Sequence, residues 1–167
     1  MRDTHPTCCF SIGPTMHSPP LPKTPWNPSR KAMNRVKNPL PIPSDCQHCG
    51  DTVEIVHHDD LYGRSYGDWP WAYRCKGCGS YVGMHPFTNI PLGTLATTEM
   101  REARKRCKSP FEALYKSGRL TRSDAYKRLA EKLGIEHEAC HFGWFDVEMC
   151  LKAEQAAREI FIEIYRS

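Results

Sequence analysis

The sequence has no run approaching the roughly 18 apolar residues needed to span a bilayer, which excludes a membrane-spanning helix. Its opening stretch, MRDTHPTCCFSIGPTMHSPP, has no continuous apolar segment and is interrupted by proline, so no secretory signal is expected there. No internal repeat, no alternating strand–helix–strand unit and no nuclease signature is present. Acidic residues are almost missing from residues 1–43, which hold six Lys/Arg against one acid and ten of the 14 prolines. Proline lacks an amide donor and fixes φ, so this stretch is expected to be a disordered basic tail. Its unusual features are Trp26 and the adjacent Cys8 and Cys9.

What the chain does have is cysteine, nine residues in 167. Four form two close pairs, Cys46-Gln-His-Cys49 and Cys75-Lys-Gly-Cys78, each followed by a glycine, Gly50 and Gly79. Without an export signal the chain is expected in a reducing cytoplasm, where such pairs bind metal rather than form disulfides. Two tight turns brought together by a hairpin place four thiolates around Zn2+, the arrangement of a zinc ribbon. Glycine after each pair tolerates φ > 0, and backbone N–H groups near the sulfurs offset part of their negative charge. A rubredoxin-type iron centre uses the same ligands, and the spacing alone does not separate the two. Four protein ligands leave no open position for substrate, so the metal is expected to hold the fold.

Residues 44–90 are expected to form this ribbon. Thr52–His57 alternates with period two, Trp71–Arg74 does so loosely, and Ser80–Met84 supplies a third strand, with a loop carrying Gly63 and Gly67 between the first two. From Pro91 the period becomes helical, and residues 91–167 are expected to be a helical region. Leu95, Met100, Ala103 and Cys107 mark a first helix, which Ser109-Pro110 breaks; Phe111, Leu114 and Tyr115 mark a short second one. Thr121-Arg-Ser-Asp124 caps a third that ends at Gly134, and a last helix starts at Asp146 with Val147, Cys150, Ala153, Ala157, Ile160 and Ile164 on one face. The fold class is α+β: a small three-stranded zinc ribbon packed with three to four helices behind a disordered N-terminal tail.

Positive charge is concentrated in residues 99–132, with eleven Lys/Arg against five acids. Arg101, Arg104, Lys105 and Lys108 fall three or four apart on one helix face; Arg119, Arg122, Lys127 and Arg128 cluster around the start of the third helix. Such a band suits a phosphate backbone or an acidic protein surface. Six aromatic residues crowd residues 62–81, and Trp69 and Trp71 are candidates to stack unpaired bases, with Arg64, Arg74 and Lys76 nearby. His85, His141 and Asp146 form a weaker constellation, a general acid–base pairing for phosphodiester hydrolysis or, with Cys107, Cys140 or Cys150, a second metal site.

The run Tyr81-Val-Gly-Met-His85-Pro-Phe-Thr88-Asn-Ile-Pro91-Leu-Gly-Thr-Leu-Ala96 after Cys75-x2-Cys78 resembles a family of bacterial and phage zinc-finger-containing proteins. The likeness continues through Arg101-x2-Arg104, Phe111, Ser117-Gly118-Arg119, Ser123-x-Ala125-Tyr126 and Leu129-Ala130. It closes on Cys140-His141-Phe-Gly-Trp-Phe145-Asp146-x3-Cys150, covering residues 44–151. The resemblance implies a zinc ribbon joined to helices and a phage or prophage setting; it implies no activity. The leading expectation is a cytoplasmic nucleic-acid-binding accessory protein rather than an enzyme. The alternatives are a protein-interaction module that inhibits a host enzyme or defence complex and, third, a nuclease.

Overall fold

Three short strands, β1 (Val53–His57), β2 (Trp71–Cys75) and β3 (Tyr81–Gly83), pair antiparallel in that order. They belong to a computed structural model that describes residues 21–166. The register sets Val53 opposite Cys75, Ile55 opposite Tyr73 and Tyr73 opposite Val82. Side chains alternate across a strand, so Ile55, Tyr73, Cys75 and Val82 share one side. There they pack with Cys46, Trp69, Met84 and Leu95 into a small core. Isolated bridges from Tyr81 to Ala96 and from Met84 to Pro91 carry the pairing on to Ala96. The boundary expected at residue 90 thus falls inside a paired segment.

The loop expected between the first two strands contains a helical turn, α2 (His58–Tyr62). His57 caps it, its ring accepting from the Asp59 N–H while the Asp60 carboxylate accepts from the His57 N–H, and Gly63 closes it at φ 70°. The tail expected over 1–43 divides. Residues 1–20, including Cys8 and Cys9, lie outside the described residues. Residues 21–43 contain a turn of helix, α1 (Arg30–Met33), and rest on the ribbon. Trp26 meets the edge of Trp71 at 5.3 Å, the Ser29 N–H donates to the Phe87 carbonyl at 2.8 Å, and Ala32 is buried. Those few aromatic and backbone contacts anchor a stretch whose composition alone gave no periodicity.

The helical half differs from expectation at two places: Leu95, expected to mark its first helix, lies before that helix and packs in the ribbon core. Residues 98–116 form one helix, α3 (Thr98–Lys116), and Pro110 lies inside it. Pro110 removes one backbone hydrogen bond and crowds the preceding turn. Nevertheless Met100, Ala103, Cys107, Phe111 and Leu114 continue one buried stripe straight through it, and burying that stripe outweighs the local cost. The other two helices, α4 (Arg122–Leu133) and α5 (Val147–Arg166), stand where the periodicity put them. Thr121 Oγ1 accepts from the Asp124 N–H at 3.1 Å, Gly134 ends α4 at φ 66°, and Asp146 accepts from the Met149 N–H at 2.7 Å. Two short 3-10 turns, His137–Ala139 and Phe142–Trp144, link α4 to α5. Phe111 sits within this core, 4.6 Å from Tyr126 and 5.0 Å from Phe142 between ring centres. Among the described residues no helix is long and apolar enough to cross a membrane.

Candidate metal centre and basic surface

Cys46 and Cys49 lie in the turn before β1, Cys75 ends β2 and Cys78 lies in the turn that follows it. The β1–β2 pairing brings the turns together, because Cys75 is the register partner of Val53. The Gly50 N–H donates to the Cys46 carbonyl and the Gly79 N–H to the Cys75 carbonyl, closing two similar turns with both glycines at positive φ. The N–H groups directed at sulfur come from within the turns: His48 to Cys46 and Cys78 to Cys75, each at 3.4 Å. All four sulfurs lie within 4.8 Å of one another, with Cys46–Cys78 at 3.5 Å and Cys49–Cys75 at 3.4 Å. A tetrahedral ion with bonds near 2.3 Å needs sulfurs about 3.8 Å apart, so the set fits one metal ion.

A feature the spacing did not reveal is Ser80. Its hydroxyl is 3.4 Å from the Cys46 sulfur and 3.2 Å from that of Cys78, and the residue is buried. Burial raises the Cys46 thiol, but the Ser80 hydroxyl and the N–H groups of His48 and Cys49 outweigh it, bringing the group down to about 6. Cys78 is lowered mainly by the same hydroxyl. A serine two residues beyond the second pair is the signal that marks this role. His48 takes no part in the sulfur set; its ring nitrogen lies 3.0 Å from the Leu95 carbonyl.

With that geometry, and with the matching pattern of a zinc-finger-containing domain over residues 42–160, the family is decided. The chain belongs to the zinc-finger-containing domain family. No curated protein and no solved structure matches it.

In this zinc-finger-containing chain the candidate basic residues separate into two groups. Arg101 and Arg104 are held internally. Arg101 Nη1 donates to the Ala96 carbonyl at 2.6 Å while its guanidinium lies 3.9 Å from the centre of the Tyr81 ring. Arg104 donates from Nε to the Phe145 carbonyl at 2.8 Å and from both terminal nitrogens to Thr94, at 3.2 Å and 2.7 Å. The two therefore tie α3 to the ribbon and to the turn before α5. Lys105, Lys127 and Arg128 are exposed and have no acidic partner among the described residues, whereas Lys108 pairs with Glu112 at 3.7 Å. Arg119 lies over Tyr165 at 4.5 Å, and Arg122 faces Tyr126 and Tyr115 at 5.7 Å and 5.9 Å.

Trp69 is buried, its indole N–H donating to the Thr88 carbonyl at 3.0 Å, and Trp71 is half-buried between Trp26 and His57. Trp69 is therefore closed to a base, whereas Trp71 keeps part of its surface exposed. Outward rings of the ribbon include Tyr62 and Tyr66, 5.4 Å apart, with Arg64 over Tyr66 at 4.6 Å, and Phe87. His85 lies beside the N-terminal segment, where burial lowers its pKa, and Asp146 caps α5. His141 stacks on Trp144 at 4.4 Å. Cys107, Cys140 and Cys150 are buried core thiols, and among the described residues the one group able to hold a metal is the ribbon set.

Proposed function

We propose that the protein is a nucleic-acid-binding accessory protein whose ribbon is held by Zn2+ and whose helical half supplies the phosphate contacts. The observation that carries this reading is how its arginines are placed. Arg64, Arg119 and Arg122 lie against tyrosine rings, and none forms an ion pair among the described residues. A guanidinium on an aromatic face is oriented yet keeps its full positive charge, ready for a phosphate or a base edge. Lys105, Lys127 and Arg128 add uncompensated charge on α3 and α4. The cytoplasm of a bacterium, under phage or prophage control, is the proposed setting.

Salt titration tests the reading. Each phosphate contact adds about 0.9 to the magnitude of the log–log slope on duplex DNA. Replacing Lys105, Lys127 and Arg128 together by glutamate is expected to weaken binding to every sequence and flatten the slope while leaving metal content unchanged. Absence of salt-sensitive binding to duplex, single-stranded and RNA probes near roughly 50 mM salt overturns it.

One observation favours a second reading, protein interaction with a host target. The end of α5 exposes Phe161, Ile162 and Tyr165, with the first and last stacked at 4.3 Å. A partner docked there gives weak dependence on salt and is lost on Ile162→Asp.

A further inference from the structure

The helical half holds an open cleft of about 400 Å3 whose lining comes from three places in the chain. Arg122, Ser123 and Tyr126 come from the first turns of α4, His137 from the following 3-10 turn, and Cys140 and His141 from the link to α5. Its volume lies in the range of small-molecule sites. No carboxylate lines it; the nearest acid of α4, Asp124, holds the Thr121 hydroxyl at 2.6 Å. The polar groups it offers to an anion are a guanidinium, two imidazoles and the hydroxyls of Ser123 and Tyr126. The Arg122 and Ser123 amides in the first turn of α4 have no partner within the helix, while the Asp124 amide is held by the Thr121 cap. Two rings complete the cleft: Tyr126, packed on Phe111, and His141, braced on Trp144. Burial pushes the Cys140 thiol up to about 11, so it remains neutral and does not repel an anion.

We propose that this cleft binds a nucleotide bearing a terminal phosphate, the phosphate held by Arg122, Ser123 and the two histidines and the base laid against Tyr126. The terminal nucleotide of a strand and a free mononucleotide share this chemistry. The proposal deepens the nucleic-acid reading, on which the choice of a nucleotide rests; the anion-binding character of the cleft stands without it.

The experiment uses the full, metal-loaded chain. Affinities are measured for one short single-stranded oligonucleotide carrying a 5′-phosphate, a 3′-phosphate or neither, and for AMP. At least tenfold tighter binding of one phosphorylated form is expected, with Arg122→Gln or His141→Gln removing the difference. Lys127→Gln, outside the cleft, lowers all affinities together and keeps the ratio. Melting curves and metal content establish that each variant is folded, and Ser123→Ala supplies a milder substitution should one of them fail. AMP that binds and competes with the phosphorylated strand shows that a free nucleotide suffices; AMP that does not bind restricts the site to strand ends. Equal affinities for all three strands, with no AMP binding, overturn the cleft even where a steep salt slope supports the basic surface. AMP binding in a protein that binds no strand supports the cleft and sinks the nucleic-acid reading.

Discussion

At the scale of single residues, Arg104 and Ser80 carry more than their positions in the chain announce. Arg104 is a lone cation that satisfies two backbone carbonyls and a hydroxyl between three segments. Arg104→Met leaves those carbonyls without a donor, and chemical denaturation should show a loss of about 2–3 kcal/mol. Arg104→Lys recovers only part of it, since a single ammonium cannot reproduce the fork. The four cysteines have a pH signature as well. Cys46 is depressed from 9.0 to about 6, so the stability its thiolate lends is full above the ordinary value and is lost as pH falls through about 6. Protons compete with the metal for the same sulfurs. Metal release followed with a chromogenic chelator should therefore set in as the solution is made acid. Ser80→Ala should move that onset to higher pH, and an unchanged onset would remove Ser80 from the site. Cys49→Ser and Cys78→Ser should lose the metal, as elemental analysis of the purified variants would show.

At the scale of elements, α3 teaches the most. Ser109-Pro110 reads as a stop followed by a new start, because proline suits the first turn of a helix. The stripe from Met100 through Cys107 and Phe111 to Leu114 is also in the sequence, and it is unbroken. Tertiary burial decided between two local signals of similar strength. Pro110→Ala should restore one helical hydrogen bond and, after the entropy returned to the unfolded chain, stabilise the protein by about 1–2 kcal/mol on thermal melting. A destabilised variant would show that the packing needs proline at this position. What was legible in the sequence was local: cysteine spacing, the Thr121 cap, the Gly134 stop and the face of α5. Long-range contacts were not. Nothing in the run around Arg104 reveals a carbonyl 41 residues away, and nothing in a dense aromatic stretch tells Trp69, which is buried, from Tyr62, which is not. The cleft was invisible for the same reason, since Arg122, His137 and His141 meet only through the turns between α4 and α5.

At the scale of the molecule, the described residues form two cores, one around the sheet and one among the helices. The ribbon core is small, of a size that a bound metal would close, whereas the helical core buries the stripes of three helices. Chelation should therefore abolish the ribbon's tertiary signal and leave most of the helical circular dichroism. A single joint unfolding would mean that neither core survives alone. Between them the backbone is packed without intervening side chains: a Cβ on Gly93 would lie 2.2 Å from the Gly143 carbonyl oxygen. Gly93→Ala should cost about 2–3 kcal/mol, because the obstacle is rigid backbone rather than a flexible side chain.

That junction also provides a clock. The Thr94 N–H donates to the Gly143 carbonyl at 3.0 Å, directly across the seam. Its exchange with deuterium requires the seam to open, whatever else in either half stays folded. Compared with an amide inside the sheet and one inside α5, its rate orders the events. Exchange in step with the sheet means that the ribbon melts away from a standing helical half. Exchange faster than both means that the halves part while each remains folded, and nearby Thr94, Arg104 and Phe145 then become the hinge by which metal loading is felt at the far end of the chain.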